Sequence, residues 1–335
     1  MNFTLNPYKI AVQWRNRRFN TGKNSIYSAE IPVISVGNVS AGGTGKTPFV
    51  RMITALCREN NIIPAVISRG YGRKTHGVVI AGNGLHGIIA SADEAGDELL
   101  LHAADGIAVA AEKRIDGCRT AQKLGATLCV LDDGFQHRQL RRDLDIVLLD
   151  TETLNGRAIP FGVLREPLAN IRRAHIVALH DGISPERAKK LPLNPNSLLI
   201  RYTTKIGAAY ALGQTDRLAP NLTEKMLALC GIARPYRFFS AIENNFAIVG
   251  KIAMSDHVHF NGRIVKKILD KLNKSGGKSI ITTEKDAVKL LQFKSVFDEA
   301  DIPVVVLPVQ TIVTDGKDEF HDIVLSVAKA KYKYD

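Results

Sequence analysis

The sequence predicts an α/β protein: a parallel-sheet domain that holds a phosphate-binding loop, followed by a smaller carboxy-terminal α/β domain. Three observations predict it. Short, nearly all-apolar runs alternate with stretches of helical length between residues 32 and 202, the pattern of strands buried on both faces. The first of these runs leads straight into the glycine-rich "GNVSAGGTGKTP" (37–48). A second set of apolar runs begins after a polar, irregular tract at 203–224.

The bulk properties agree. A chain of 335 residues, 45% hydrophobic and 23% charged, has ordinary globular composition and length for two domains. The net charge of +12 calls for an anionic partner: a nucleotide, a nucleic acid or an acidic membrane surface. Charge does not choose among these. Cys57, Cys118, Cys129 and Cys230 form no C-x-x-C pair, which argues for a reducing compartment and against a disulfide scaffold or zinc site. No apolar run approaches the roughly 18–20 residues that span a bilayer, so the expectation is a cytosolic or surface-bound protein.

In chain order, residues 1–25 form a basic segment. Lys9, Arg15, Arg17 and Arg18 alternate with Ile10, Val12, Trp14 and Phe19, and no acidic residue precedes Glu30. Such a helix suits an anionic bilayer, or packs on the domain with its arginines solvated. The parallel-sheet domain is expected over 26–212, with strands at "PVISVG" (32–37), "PAVISRG" (64–70), "IAVAA" (107–111), "TLCVLDD" (127–133) and "DIVLLD" (145–150). "HIVALH" (175–180) and "SLLIRY" (197–202) complete it. The smaller domain, expected over 213–335 and closing a cleft, holds "MLALCGIARP", "FAIVGKI", "KSIITTEKD" and "IPVVVLPV".

The loop at 40–47 has the makings of a P-loop NTPase-like site. Backbone N–H groups of Ser40, Ala41, Gly42, Gly43, Thr44 and Gly45 can turn inward on phosphate oxygens, and the following helix adds its positive end. Lys46 supplies a cation to the phosphates, and the Thr47 hydroxyl a ligand for Mg²⁺. Ser40 stands where the usual pattern has glycine, and Pro48 sits at a helix start that tolerates it. Ala41 replaces a second lysine found in one branch of such proteins, and no N-K-x-D-like segment reads guanine. ATP is therefore the expected nucleotide.

Carboxylates at strand ends complete the pattern. Asp132 and Asp133 close an apolar strand where such sheets bind ligands, and Asp150 competes with them for the metal. A proton acceptor is also needed. Asp93, Glu94, Asp97 and Glu98 offer themselves in "ADEAGDELLLHA", without chemistry alone selecting one. Asp256, His257 and His259 cluster in "SDHVHF".

Taken in order, these segments resemble the tetraacyldisaccharide 4'-kinase family of lipid A synthesis. The resemblance rests on "GNVSAGGTGKTP", "SRGYGR" (68–73), "GDE" (96–98), "LDDGFQHRQLRRDLDIVLLD", "LREP" (164–167), "DH" (256–257) and "TTEKDAVK" (282–289). It implies transfer of the ATP γ-phosphate to the 4'-hydroxyl of a tetraacyl glucosamine disaccharide 1-phosphate, at the cytoplasmic face of the inner membrane. It implies a P-loop domain joined to the smaller one by a short two-stranded link, with the site in the cleft between them. Asp97 takes the catalytic carboxylate role by this resemblance, with His257 assisting and Lys46 and Thr47 on phosphate and Mg²⁺. Asp132, Asp133, Gln136, His137, Arg165 and Glu166 carry over as site residues, with Glu166 grouped with the metal and Gln136, His137 and Arg165 with the nucleotide. The chain reads M-S-D-H-V-H-F at 254–260 where relatives often have F-P-D-H-H-x-F, and this assigns no role to His259. Two other readings compete: a GTPase or metallochaperone-like NTPase, and a non-catalytic basic binder of membrane or nucleic acid. The first is opposed by Ala41, the missing guanine-reading segment and the lack of a Cys/His metal cluster; the second does not explain a phosphate loop together with strand-end carboxylates.

Overall fold

The structure, a computed structural model, describes residues 6–213, 222–232, 234–256 and 258–330. His257 lies outside the described residues.

In chain order the strands are β1 (Val33–Gly37), β2 (Pro64–Ser68), β3 (Val79–Asn83), β4 (Ile107–Ala110), β5 (Leu128–Asp132), β6 (Leu144–Leu149), β7 (Ile176–His180) and β8 (Leu198–Ile206). Then follow β9 (Tyr210–Ala211), β10 (Met226–Cys230), β11 (Ile248–Ala253), β12 (Ser279–Thr283), β13 (Val304–Leu307) and β14 (Val309–Asp315). They make two sheets. The larger runs β14-β8-β7-β6-β1-β5-β2-β4-β3, with β8 through β4 parallel and antiparallel strands at both edges. The smaller runs β11-β10-β12-β13-β9, parallel except at β9.

The apolar runs form central strands because both faces are covered. Every residue of β1, β5 and β6 is buried. One face packs on the helix Lys46–Glu59 through Phe49, Val50, Ile53 and Cys57, and the other takes up Ile67, Val109, Cys118 and Leu131. The four cysteines are all buried.

Two findings refine the expected boundaries. The edge strand β3 was not foreseen. More consequentially, β14 and the helix Lys317–Ala328, numbered with the smaller domain, belong to the larger sheet. There β14 pairs antiparallel with β8, and Phe320 and Val324 join the main core. The chain thus leaves the larger unit along β8 and returns along β14, and these two strands form the link between the units. β9 with Leu212, and the elements from β10 to β13, make the smaller core around Leu227, Leu229, Ile268 and Phe297.

The amino-terminal helix, Pro7–Asn20, is capped by Asn6, whose side chain accepts the Lys9 N–H, with Pro7 in the first turn. Val12, Asn16 and Phe19 face the protein, whereas Tyr8, Ile10 and Trp14 are exposed. The segment is thus docked on one face, with Ile10 and Trp14 exposed one turn apart on the other beside Gln13 and Arg17. No helix among the described residues is long and apolar enough to cross a membrane.

Candidate active site

β1 lies at the centre of the larger sheet, and the chain leaving it makes the phosphate loop. Its approach is set by glycine. A Cβ on Gly37 would stand 2.6 Å from the Phe135 Cβ, so the loop and the turn after β5 touch only because that atom is absent. Gly42 and Gly45 adopt φ of 120° and 79°, dihedrals that glycine enters without strain. Gly45 then caps the helix Lys46–Glu59.

Ser40 is 3% exposed, and its side chain serves the loop's foundation. Its Oγ lies 2.9 Å from Thr153 Oγ1, which donates to Asp150 Oδ1 at 2.7 Å. Asn38 Nδ2 donates to Thr44 Oγ1 at 2.9 Å, and the buried Tyr202 hydroxyl to the Thr44 carbonyl at 2.9 Å. Asp150, the rival metal candidate, caps the helix Thr151–Asn155 and faces Arg234 at 3.8 Å. Ala41 N–H donates to the Val163 carbonyl, and Arg165 N–H to that of Val39, which brings 163–166 beside the loop.

The strand-end carboxylates stand against the loop. Thr47 Oγ1 donates to Asp132 Oδ2 at 3.2 Å, and the same oxygen lies 2.9 Å from His102 Nε2. Lys46 Nζ is 3.4 Å from Asp133 Oδ1, and Arg165 Nη1 donates to Asp133 Oδ2 at 2.6 Å. Burial raises the Asp133 carboxyl, but Lys46 and Arg165 outweigh it and hold it below the usual carboxylate range. His137, half-buried among Arg114, Arg142 and Arg69, is pushed down to about 4, first by burial and then by those cations.

Gln136 Nε2 donates to the Asn38 carbonyl and to Glu166 Oε1, both at 2.7 Å. Glu166 is 1% exposed and also accepts from Asn16, Asn170 and Arg173. Its two oxygens are spent on four partners. Here Glu166 ties the amino-terminal helix to Gln136 and to the turn that carries Asn170 and Arg173. Thr47 and Asp132 offer hard oxygen donors side by side, the set from which Mg²⁺ is held together with nucleotide phosphates and water. The residues present fit that ion.

Asp97 opens the helix Asp97–Ala103, the helix that also carries His102. Five residues at 1.5 Å rise put the two about 7.5 Å apart along the axis, so one short helix reaches both Asp132 and the cleft. Gly96 must be glycine: its φ is 87°, and a Cβ would meet the Tyr71 carbonyl oxygen at 2.8 Å. That contact seats "GDE" on "SRGYG". Asp97 is 6% exposed and lines a cleft of about 300 Å³ with Tyr71, Ser91, His259, Phe260 and Lys289. The walls come from both units. Across it, Lys289 Nζ lies 3.7 Å and Lys285 Nζ 4.0 Å from Asp97 Oδ2. Lys285 also donates to Asp256, beside His257, at 3.0 Å. His259 Nδ1 is 3.3 Å from Asp93 Oδ1.

The sequence assigns no role to His102, nor to Lys285 and Lys289 individually within "TTEKDAVK"; a lone histidine inside the apolar "ELLLHAA" and two lysines four apart in a motif are the available signals.

The comparisons with known proteins are concordant. A family model described as tetraacyldisaccharide-1-P 4'-kinase matches residues 5–329. A tetraacyldisaccharide 4'-kinase of Desulfotalea psychrophila is 38% identical over 277 residues, 78% of this chain and 79% of the relative. One from Chlorobium limicola is 36% identical over 298 residues, 85% of this chain and 84% of the relative. Among solved structures, LpxK from Aquifex aeolicus in complex with ATP superposes with a TM-score of 0.78. It is 27% identical and covers 97% of this chain and 96% of its own.

Proposed function

The chain belongs to the tetraacyldisaccharide 4'-kinase family, and from that premise we propose the roles of its residues in moving the ATP γ-phosphate to the 4'-hydroxyl of a tetraacyl glucosamine disaccharide 1-phosphate. The observation that carries the reading is the pairing of two groups of side chains. Lys46, Thr47, Asp132 and Asp133 gather at a phosphate loop, and Asp97 opens a cleft reached by the same helix as the Asp132 partner His102.

In the reaction, the 4'-oxygen attacks the γ-phosphorus, the bond to the ADP oxygen breaks, and the hydroxyl proton passes to Asp97. Phosphoryl transfer is mostly positioning and charge neutralisation. The loop N–H groups and Lys46 hold the phosphates, with Asp133 and Arg165 fixing the lysine's place. Thr47 and Asp132 would hold Mg²⁺, which when bound supplies positive charge to the phosphates. His257 assists Asp97; its neighbours support this, since Val258 and His259 line the cleft and Asp256 pairs with a lysine facing Asp97.

The enzyme works at the cytoplasmic face of the inner membrane. Support comes from the exposed Tyr8, Ile10 and Trp14 on a helix that also carries Arg15, Arg17 and Arg18. Arg18 stacks 4.9 Å from the Trp14 ring centroid, an arrangement suited to an anionic interface.

Purified protein with ATP, Mg²⁺ and the lipid disaccharide in detergent is expected to yield the 4'-phosphorylated product, with GTP a poorer donor. Absence of transfer by folded protein contradicts the reading.

A further inference from the structure

We propose that Lys289 is a positioning residue for this reaction: its buried ammonium, anchored by Asp286, fixes the Asp97 carboxylate from the opposite side of the cleft. The inference rests on the kinase reading and extends it to a lysine of the smaller unit.

Lys289 is 5% exposed, and burying an ammonium is costly unless it is matched by opposite charge. Two carboxylates match it. Asp286 Oδ1 stands 3.2 Å and Asp97 Oδ2 3.7 Å from Nζ, while the Phe260 ring centroid lies 5.5 Å away. Among the described residues Nζ makes no hydrogen bond of good geometry, so it is held by charge between two units.

Asp286 cannot swing away. It is fully buried, and its Oδ2 accepts the Gly231 N–H and the Thr283 hydroxyl, both at 2.8 Å. Its own N–H donates to Thr283 Oγ1, the cap of the helix Glu284–Leu290. The smaller unit therefore dictates where the ammonium sits.

On the other side, Asp97 Oδ1 accepts the Glu98 N–H at 3.0 Å, which leaves Oδ2 toward the lysines. Lys285 shares that oxygen at longer range, is more exposed, and divides its charge with Glu98 and Asp256. Among the described residues Lys289 pairs only with the buried Asp286 and Asp97. Asp286–Lys289–Asp97 thus runs from the smaller core to the proton acceptor. Bringing the units together and aiming Asp97 become one event. A misplacement of about 1 Å at a reacting group can cost 10²-fold in rate, the scale expected here.

A double-mutant cycle tests this with MgATP and the lipid disaccharide. Lys289→Met is expected to lower kcat about 10–100-fold with the KM for ATP unchanged. Placed on Asp97→Asn, the same change should alter kcat less than about 2-fold, because the lysine acts through Asp97. Normal kcat for Lys289→Met, or the full loss repeated on Asp97→Asn, overturns the proposal. A second measurement is independent of turnover and of Lys289 variants folding. Asp97→Asn removes half of the ammonium's counter-charge and should lower the thermal midpoint by a few degrees; an unchanged midpoint also overturns it. Wild-type protein run in parallel separates the failures: no transfer there contradicts the kinase reading itself.

Discussion

His102 Nε2 lies 2.9 Å from Asp132 Oδ2, the oxygen that also accepts the Thr47 hydroxyl. Both side chains of the pair are nearly buried, at 1% and 8% exposure. The histidine orients the carboxylate from behind, as outer partners orient metal ligands. His102→Ala should therefore raise the Mg²⁺ concentration for half-maximal activity about 10–100-fold, with full turnover restored by excess metal. Titrating Mg²⁺ at saturating ATP measures this, and an unchanged midpoint would leave His102 a core residue only.

Ser40 gives a contrasting expectation. Its hydroxyl points to Thr153, not to the cradle, so Ser40→Gly should retain ATP affinity within a few-fold. Loss of a buried hydrogen bond should cost about 1 kcal/mol of stability. Calorimetric ATP binding and a denaturant melt on the same variant check both halves; collapse of ATP binding would mean that Ser40 contacts the nucleotide.

The depressed His137 predicts a pH dependence with a definite sign. Its folded value is about 4 against an ordinary 6.5, so between these pH values the unfolded chain binds the extra proton. Stability from this group is full above about 6.5 and is lost as pH falls toward 4. His137→Gln should flatten the melting temperature across that window. Asp133, held low by Lys46 and Arg165, adds a loss of the same sign that begins at the acid end of this window and continues below it.

The amino-terminal helix should bind anionic vesicles through its outer face. Ile10→Ser with Trp14→Ser is expected to weaken binding without altering the melt, since Val12, Asn16 and Phe19 make the packed face. Added salt should weaken wild-type binding further, because each basic residue contributes about 1 kcal/mol at such a surface. Equal sedimentation of variant and wild type with vesicles would refute it.

Much of the fold could be read from the chain because buried parallel strands announce themselves. "VISVG", "LCVLD" and "LDIVLL" have no polar face to mask them, and the loop after β1 has a known chemistry. β14 could not be read the same way. "VQTIVTD" alternates like an edge strand, and its partner Thr203 lies more than 100 residues back, beyond any local pattern. The surroundings of Glu166 could not be read either: that Asn16, from 150 residues back, meets it together with Asn170 and Arg173 is set by the fold alone. "TTEKDAVK" stands out as a block, but which of its lysines is buried does not, as a helical lysine reads as solvated until Asp97 and Asp286 are found at its head.

Transfer requires Asp97 and the phosphate loop to act on one substrate. The direct measurement is kcat of Asp97→Ala at saturating ATP and lipid, with ATP affinity determined on the same preparation. The expected result is a fall of about 10²–10⁴-fold with ATP affinity unchanged. Normal turnover at saturation, or a loss confined to ATP binding, would contradict it.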